Sequence, residues 1–188
     1  MTITGPAIAR LALLGLATSI LQLTAASQVS IFGVPMDLSP LIVASVGFLC
    51  GSVPGSVFGF CFGLFADTAL MQTLGVTSLV LTAVGYGAGR IRELRDPAHG
   101  LAPVAVGAAG TALAALGITL LQFLLGVEAP VSAQVVRQIL MTIVLNTLLA
   151  LPVYAGCRRV LLPYLPEDPR RRRRRAYTTG GLSPLSKA

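Results

Sequence analysis

Charge is what this chain has least of. Asp, Glu, Lys and Arg together make up 11% of its 188 residues, against about 25% in an ordinary soluble domain. Hydrophobic residues make up 54%, and mean hydropathy is +0.81. That balance excludes a water-soluble domain and predicts an integral membrane protein. Cysteine is nearly absent as well. Cys50, Cys61 and Cys157 lie within or at the ends of apolar segments, with no paired spacing and no neighbouring histidine. This argues against a metal site or disulfide framework and leaves them as small apolar packing residues. His99 is the one histidine, and beside Pro97 in a charged stretch it reads as a solvated loop residue. No Ser/His pair, carboxylate pair or ligand cluster falls within the apolar segments, so neither an enzyme nor a cofactor or metal is expected.

Acidic residues are also few, seven against fourteen Lys and Arg, for a net charge of +7. A nucleic-acid arm would interleave its basic residues with aromatics. Here Arg170, Arg171, Arg172, Arg173, Arg174 and Arg175 form one uninterrupted run, and most other basic residues flank apolar spans. That is the distribution of a topology signal. The run itself is expected to meet anionic lipid at the membrane surface, at about 1 kcal/mol per residue before screening.

Glycine is abundant, with 20 residues, and it is patterned. In GSVPGSVFGFCFGLFAD, Gly51, Gly55, Gly59, Gly63 and Asp67 recur at every fourth position. At about 100° per residue, a four-residue step returns to the same helix face with a drift of roughly 40°. The glycines thus line a slowly winding groove, with Phe58, Phe62 and Phe65 displaced from it. Lipid gives two helices no hydrophobic reason to associate, so close backbone approach must supply the contact. Asp67, at the end of the groove, is costly in hydrocarbon unless paired or near the interface. Gly85 and Gly89 repeat the spacing further on. These seven residues are the candidate packing and partner surface.

Taken in order, the chain divides into six apolar segments. The first runs from about Ala7 to Gln28 and is read as a retained span rather than a signal peptide. Val29 to Asp37 is a short external loop. Ser39-Pro40 then reads as an N-cap followed by proline at the first helical position. The second segment, Leu38 to Cys50, covers roughly 20 Å of helix, short for a core of about 30 Å. It either begins nearer Val34 or forms a hairpin with the third that does not cross fully. Gly51 to Pro54 is the expected turn. The third segment ends at Asp67, Thr68 to Leu74 is an external link, and the fourth runs from Gly75 to about Gly89.

A charged loop, Arg90 to Gly100, follows, then an Ala- and Gly-rich fifth span from Leu101 to Leu125. Glu128 and Pro130 mark an external turn. The sixth span, Val135 to Gly156, carries Asn146, expected to hydrogen-bond another helix. With the N-terminus inside, Arg10, Arg90, Arg92, Arg95, Arg158, Arg159, the six-arginine run and Lys187 are all cytoplasmic. That is 13 of the 14 basic residues, with only Arg137 outside. The expectation is an all-α membrane protein: a compact bundle of about six transmembrane helices over residues 1–160, both termini cytoplasmic, and a basic, disordered tail over residues 161–188.

The order of features resembles the MreD family, the small membrane component of the bacterial rod-shape machinery. The resemblance is carried by PMDLSP (Pro35 to Pro40), GSVPGSVFGFCFGLFAD, and LGVTSLVLTAVGYGAG with Leu74-Gly75, Leu79, Leu81 and Gly85-Tyr86. It implies a non-catalytic scaffold of the cell-wall elongation complex in the bacterial plasma membrane. Such a scaffold works with an MreC-like bitopic partner that links MreB filaments to RodA and a class B penicillin-binding protein. It also implies a fold similar to the six-helix substrate-binding subunit of energy-coupling-factor transporters. A solute-binding subunit of that transporter class is therefore the competing reading. A solute site needs convergent polar groups, and the spans offer Gln22, Asp67, Gln72, Gln122, Gln138 and Asn146.

Overall fold

A computed structural model describes residues 13, 15, 17, 18, 20, 30–31, 34–35, 37–94, 102–126 and 133–161. Within these the chain is helical apart from one small antiparallel hairpin. Its helices are α1 (Ser39–Cys50), α2 (Ser52–Ala69), α3 (Val76–Leu94), α4 (Ala102–Leu124) and α5 (Ala133–Leu161). Leu13, Gly15, Ala17, Thr18 and Ile20 are also helical. The segment read as an external loop holds the hairpin, in which Ser30 pairs with Pro35 and Ile31 with Val34. His99, Glu128, Pro130 and the arginine run lie outside the described residues, as does most of the first expected span.

The short second segment finds its explanation in burial. Leu41, Val43, Ala44 and Val46 are fully shielded, and α1 touches α2, α3, α4 and α5. A helix that is apolar all round is one that is covered all round. Its 12 residues extend roughly 18 Å, and its ends meet protein. At the first end Asp37 does the capping expected of Ser39: the Ser39 N–H donates to Asp37 Oδ1 at 3.0 Å. Leu38 occupies the cap position without a side-chain bond, and Pro40 lies in the first turn as expected.

The expected four-residue turn after α1 contracts to one residue. Gly51 alone separates α1 from α2, at φ 106° and ψ 177°, a region that essentially only glycine enters. Val53 and Pro54 already belong to the first turn of α2. Gly51 is therefore the joint at the foot of the glycine groove rather than its first helical rung. α3 continues past Gly89 into the charged stretch read as loop. α5 starts two residues before Val135 and runs beyond Gly156, so that Arg158 and Arg159 are helical.

α2 and α3 form the most extensive helix pair, an antiparallel hairpin with α1 laid against both. α4 closes over α1 and α3, as its small residues predict: Gly107 abuts Leu41 and Ala150, Gly110 abuts Ala44 and Val84, and Gly117 abuts Val80. Among the described residues two stretches are long and apolar enough to cross a bilayer, Ala102–Leu124 and Val136–Leu161. The second, third and fourth expected spans do not meet that test, and most of the first lies outside the described residues. α1 is too short, while glycine, serine and charge dilute α2 and α3.

Gly51 is the position where backbone conformation can be tested apart from space. A Cβ there would sit 3.5 Å from Glu93 Oε1, an ordinary contact. Gly51→Ala should therefore lower stability by about 1–3 kcal/mol through backbone strain. Gly87→Ala, on a helix with nothing within 4 Å of the new methyl, should be neutral or slightly stabilising. Thermal unfolding of both variants in the same detergent measures the difference.

Candidate functional site: the glycine ladder and its two ends

The glycine groove is occupied from within the chain. A Cβ at Gly55 would stand 2.6 Å from the Gly85 carbonyl oxygen and 2.6 Å from Gly47 Cα. One at Gly59 would stand 2.7 Å from the Leu81 carbonyl carbon, and one at Gly63 2.7 Å from the Ser78 nitrogen. On the opposite helix, a Cβ at Gly85 would lie 2.6 Å from the Gly55 carbonyl carbon, and one at Gly89 would overlap the backbone of Ser52 and Gly51. These neighbours are all backbone, which cannot rotate away. The helix expected to use the groove is thus α3, and the surface is not left open to a partner helix. Gly85 and Gly89 belong to the other side of the same seam.

Gly47 lies four residues before Gly51 and so continues the series upstream, but it falls in the second segment, before the expected turn, and was not counted with the ladder. It places α1 against the same point, where a Cβ would overlap the Gly85 carbonyl. Three helices therefore cross at Gly47, Gly55 and Gly85. Phe58 and Phe62 lie outside the ladder as expected, their rings stacked with centroids 5.9 Å apart. A Cβ at Gly15 would meet the Phe58 ring at 3.3 Å, so the first helical segment covers these aromatics. Phe65 is exposed.

Asp67 organises the turn that joins α2 to α3. Its side chain is 1% exposed, and its Oδ2 accepts the Gly75 N–H at 2.8 Å. Its backbone carbonyl accepts the Gln72 N–H at 2.9 Å. Gly75 has φ 95° and Met71 φ 51°, so the turn reverses through two left-handed residues between these anchors. Asp67 and Leu74-Gly75 belong together because the carboxylate holds that glycine's amide. The other oxygen, Oδ1, is buried with no hydrogen-bond partner among the described residues.

The opposite end is held by a pair of charges. α1 ends and α2 begins on either side of Gly51, so carbonyls and amides of opposite polarity lie side by side. Glu93 Oε1 accepts the Ser52 N–H at 3.0 Å and the Ser52 hydroxyl at 2.7 Å. Arg92 donates from Nη1 to the Leu49 carbonyl. Adjacent residues of α3 thus match the two helix ends by sign. The bonds from Ser52, with a smaller contribution from Arg90, hold the Glu93 carboxyl below its ordinary range. Sequence reasoning took Arg90 and Arg92 as topology markers alone and gave Glu93 no role.

Asn146 is 1% exposed and makes the expected interhelical bonds. Its Nδ2 donates to the Asp37 carbonyl at 2.8 Å and to Thr111 Oγ1 at 3.2 Å. It ties α5 to α4 and to the start of α1, each bond typically worth about 0.6 kcal/mol in a membrane protein. Of the other polar candidates, Gln72 and Gln138 are exposed, Gln122 is half-buried, and Gln22 lies outside the described residues.

Two predictions follow from the ends of the ladder. Asp67→Ala strands the Gly75 amide and should cost about 1–3 kcal/mol. Asp67→Asn keeps an acceptor for it and should melt near the wild type, whereas an equal loss in both variants would show that the charge itself is needed. For Glu93 the folded carboxyl titrates below its ordinary value of about 4.3. Its stabilising contribution is therefore fully present above that value and lost as pH falls through the lower folded one. Melting temperature followed into that acidic window should fall more steeply in the wild type than in Glu93→Gln.

Comparison with curated proteins and with solved structures finds no match. Comparison with protein families finds one, described as rod shape-determining protein MreD, over residues 7–160. The match includes the ladder, both of its ends and the Asn146 bridge. With the helical, apolar architecture described above, it establishes that the chain belongs to the MreD family of rod shape-determining membrane proteins.

Proposed function

We propose that the protein is a non-catalytic scaffold of the cell-wall elongation complex that binds an MreC-like bitopic partner in the plasma membrane. Through that partner it stands beside RodA and a class B penicillin-binding protein. The observation that carries this reading is the use made of the buried polar groups. Asp67 and Asn146 are directed at the chain's own backbone and hydroxyl groups, which suits a body that holds a shape. The glycine ladder serves the same end by fixing the α2–α3 hairpin, and the partner meets the bundle elsewhere.

The architecture we propose has six membrane segments with both termini cytoplasmic, similar to the substrate-binding subunit of energy-coupling-factor transporters. It is supported by the charge division, which leaves only Arg137 outside. The arginine run from Arg170 to Arg175 then rests on the anionic cytoplasmic surface. An impermeant thiol reagent applied to intact cells should label a single cysteine at position 128 and leave one at position 99 unlabelled. The reverse pattern overturns the topology.

The partner is tested by co-purification in detergent. The wild type and Val57→Leu, on an exposed face of α2, should recover the MreC-like protein equally. Gly59→Leu should lose it together with the hairpin, seen as a lower melting temperature. Failure of the wild type to recover the partner, with a small solute retained instead, would favour the transporter-subunit reading.

A further inference from the structure

Among the described residues, the charged end of the bundle holds more positive charge than its one acid can answer. Arg90, Arg92, Arg158 and Arg159 are described there, with Glu93 as the one carboxylate. Asp37 and Asp67 sit at the far ends of α1 and α2. Both Glu93 oxygens are engaged, Oε1 by Ser52 and Oε2 by Arg90 at 3.4 Å. Arg158 makes no ion pair among the described residues.

Arg92 and Arg158 come from different helices, yet they converge. Arg92 is anchored on the Leu49 carbonyl. The neighbouring Phe48 packs edge-on against Tyr154, with ring centroids 6.0 Å apart. Arg158 lies one turn beyond Tyr154 on the same face of α5. Both guanidinium groups are within electrostatic reach of the half-buried Tyr154 phenol. Two cations and a hydroxyl donor therefore lie about one place, with no carboxylate between them among the described residues. Beside them, Ile91, next to Arg92 on α3, and Leu151, about two turns from Arg158 on the same face of α5, are exposed apolar side chains.

We propose that Arg92, Arg158 and Tyr154 form a binding site for the phosphate of an anionic phospholipid, whose acyl chains lie along the apolar residues beside it. Basic pockets between helices at the membrane surface take such headgroups because phosphate neutralises the convergent charge. A planar guanidinium also binds phosphate oxygens in pairs. The apolar surround selects a lipid-borne phosphate over a free one. This site rests on the membrane reading alone and is independent of the proposed partner. It is also separate in sequence from the arginine run, which lies outside the described residues.

The test uses the full chain in nanodiscs of phosphatidylcholine with phosphatidylglycerol, followed by detergent release and mass spectrometry of intact protein–lipid complexes. Phosphatidylglycerol should be retained in preference to phosphatidylcholine. Arg158→Gln, whose side chain is exposed and supports no other element, should retain it about fivefold less. Arg158→Lys should fall between, Tyr154→Phe should weaken retention, and Arg159→Gln should match the wild type. Inorganic phosphate added alone should not displace the lipid. Equal retention of the two lipids, or of wild type and Arg158→Gln, overturns the proposal. Displacement by inorganic phosphate would assign the charges to a free anion and overturn it equally.

Discussion

Backbone meets backbone where Gly47, Gly55 and Gly85 cross, and the rest of the bundle follows from that contact. Dispersion between helices weakens steeply with separation, and in a bilayer there is no hydrophobic effect to compensate. Removing the side chains along one seam lets three helices come as near as their main chains permit. Once α2 and α3 are locked in this way, α1 has no room for a lipid-facing side and is enclosed. Its short length ceases to be a defect, because its ends meet Asn146 and Arg92 rather than hydrocarbon.

Close packing of this kind fixes lateral position but resists sliding poorly, since glycines spaced four apart offer similar registers one turn away. The two ends supply what the seam lacks. Asp67 can reach the Gly75 amide in only one register, and Glu93 can reach Ser52 in only the same one. A one-turn slip would carry each carboxylate about 5.4 Å from its donor. The buried Asp67 would then be left without a partner where that is costly, and Ser52 would lose the acceptor that Glu93 provides. The two carboxylates act here as register pins. That explains how a chain with seven acidic residues places one at each end of its central hairpin.

How much of this was legible in the sequence depends on the distance over which the signal acts. The four-residue glycine period, the shortness of the second segment and the bonding role of Asn146 are local properties, and each was readable. The occupant of the groove was not. Gly55 and Gly85 are thirty positions apart, and spacing within one helix says nothing about which other helix shares it. Both stripes were visible; their complementarity required the hairpin. Gly47 is one four-residue step upstream of Gly51, but the turn read between them assigned it to another helix, so the stripe was not extended to it. Arg92 was read as a topology charge and Glu93 was given no role, because the helix ends they cap are made by a fold the sequence does not display. Ser39 yielded its capping role to Asp37, two residues upstream, because either side chain can serve and geometry chooses.

The distribution of large and small side chains closes the argument for the bilayer. Glycine and serine line the interior seam, while Val53, Val57 and Phe60 on α2, Leu116 and Leu120 on α4, and Val144 and Leu148 on α5 stand exposed. Leu148 is 78% exposed, two residues from the fully buried Asn146 and so on the opposite face of α5. In water such a surface would far exceed the apolar patch a soluble monomer tolerates, and an amide turned inward beneath it would have no cause. In lipid the order is natural: large apolar groups contact the acyl chains, and small residues allow approach. Polar groups are placed inside because only there do they find partners. The same chain folded for water would need its faces exchanged.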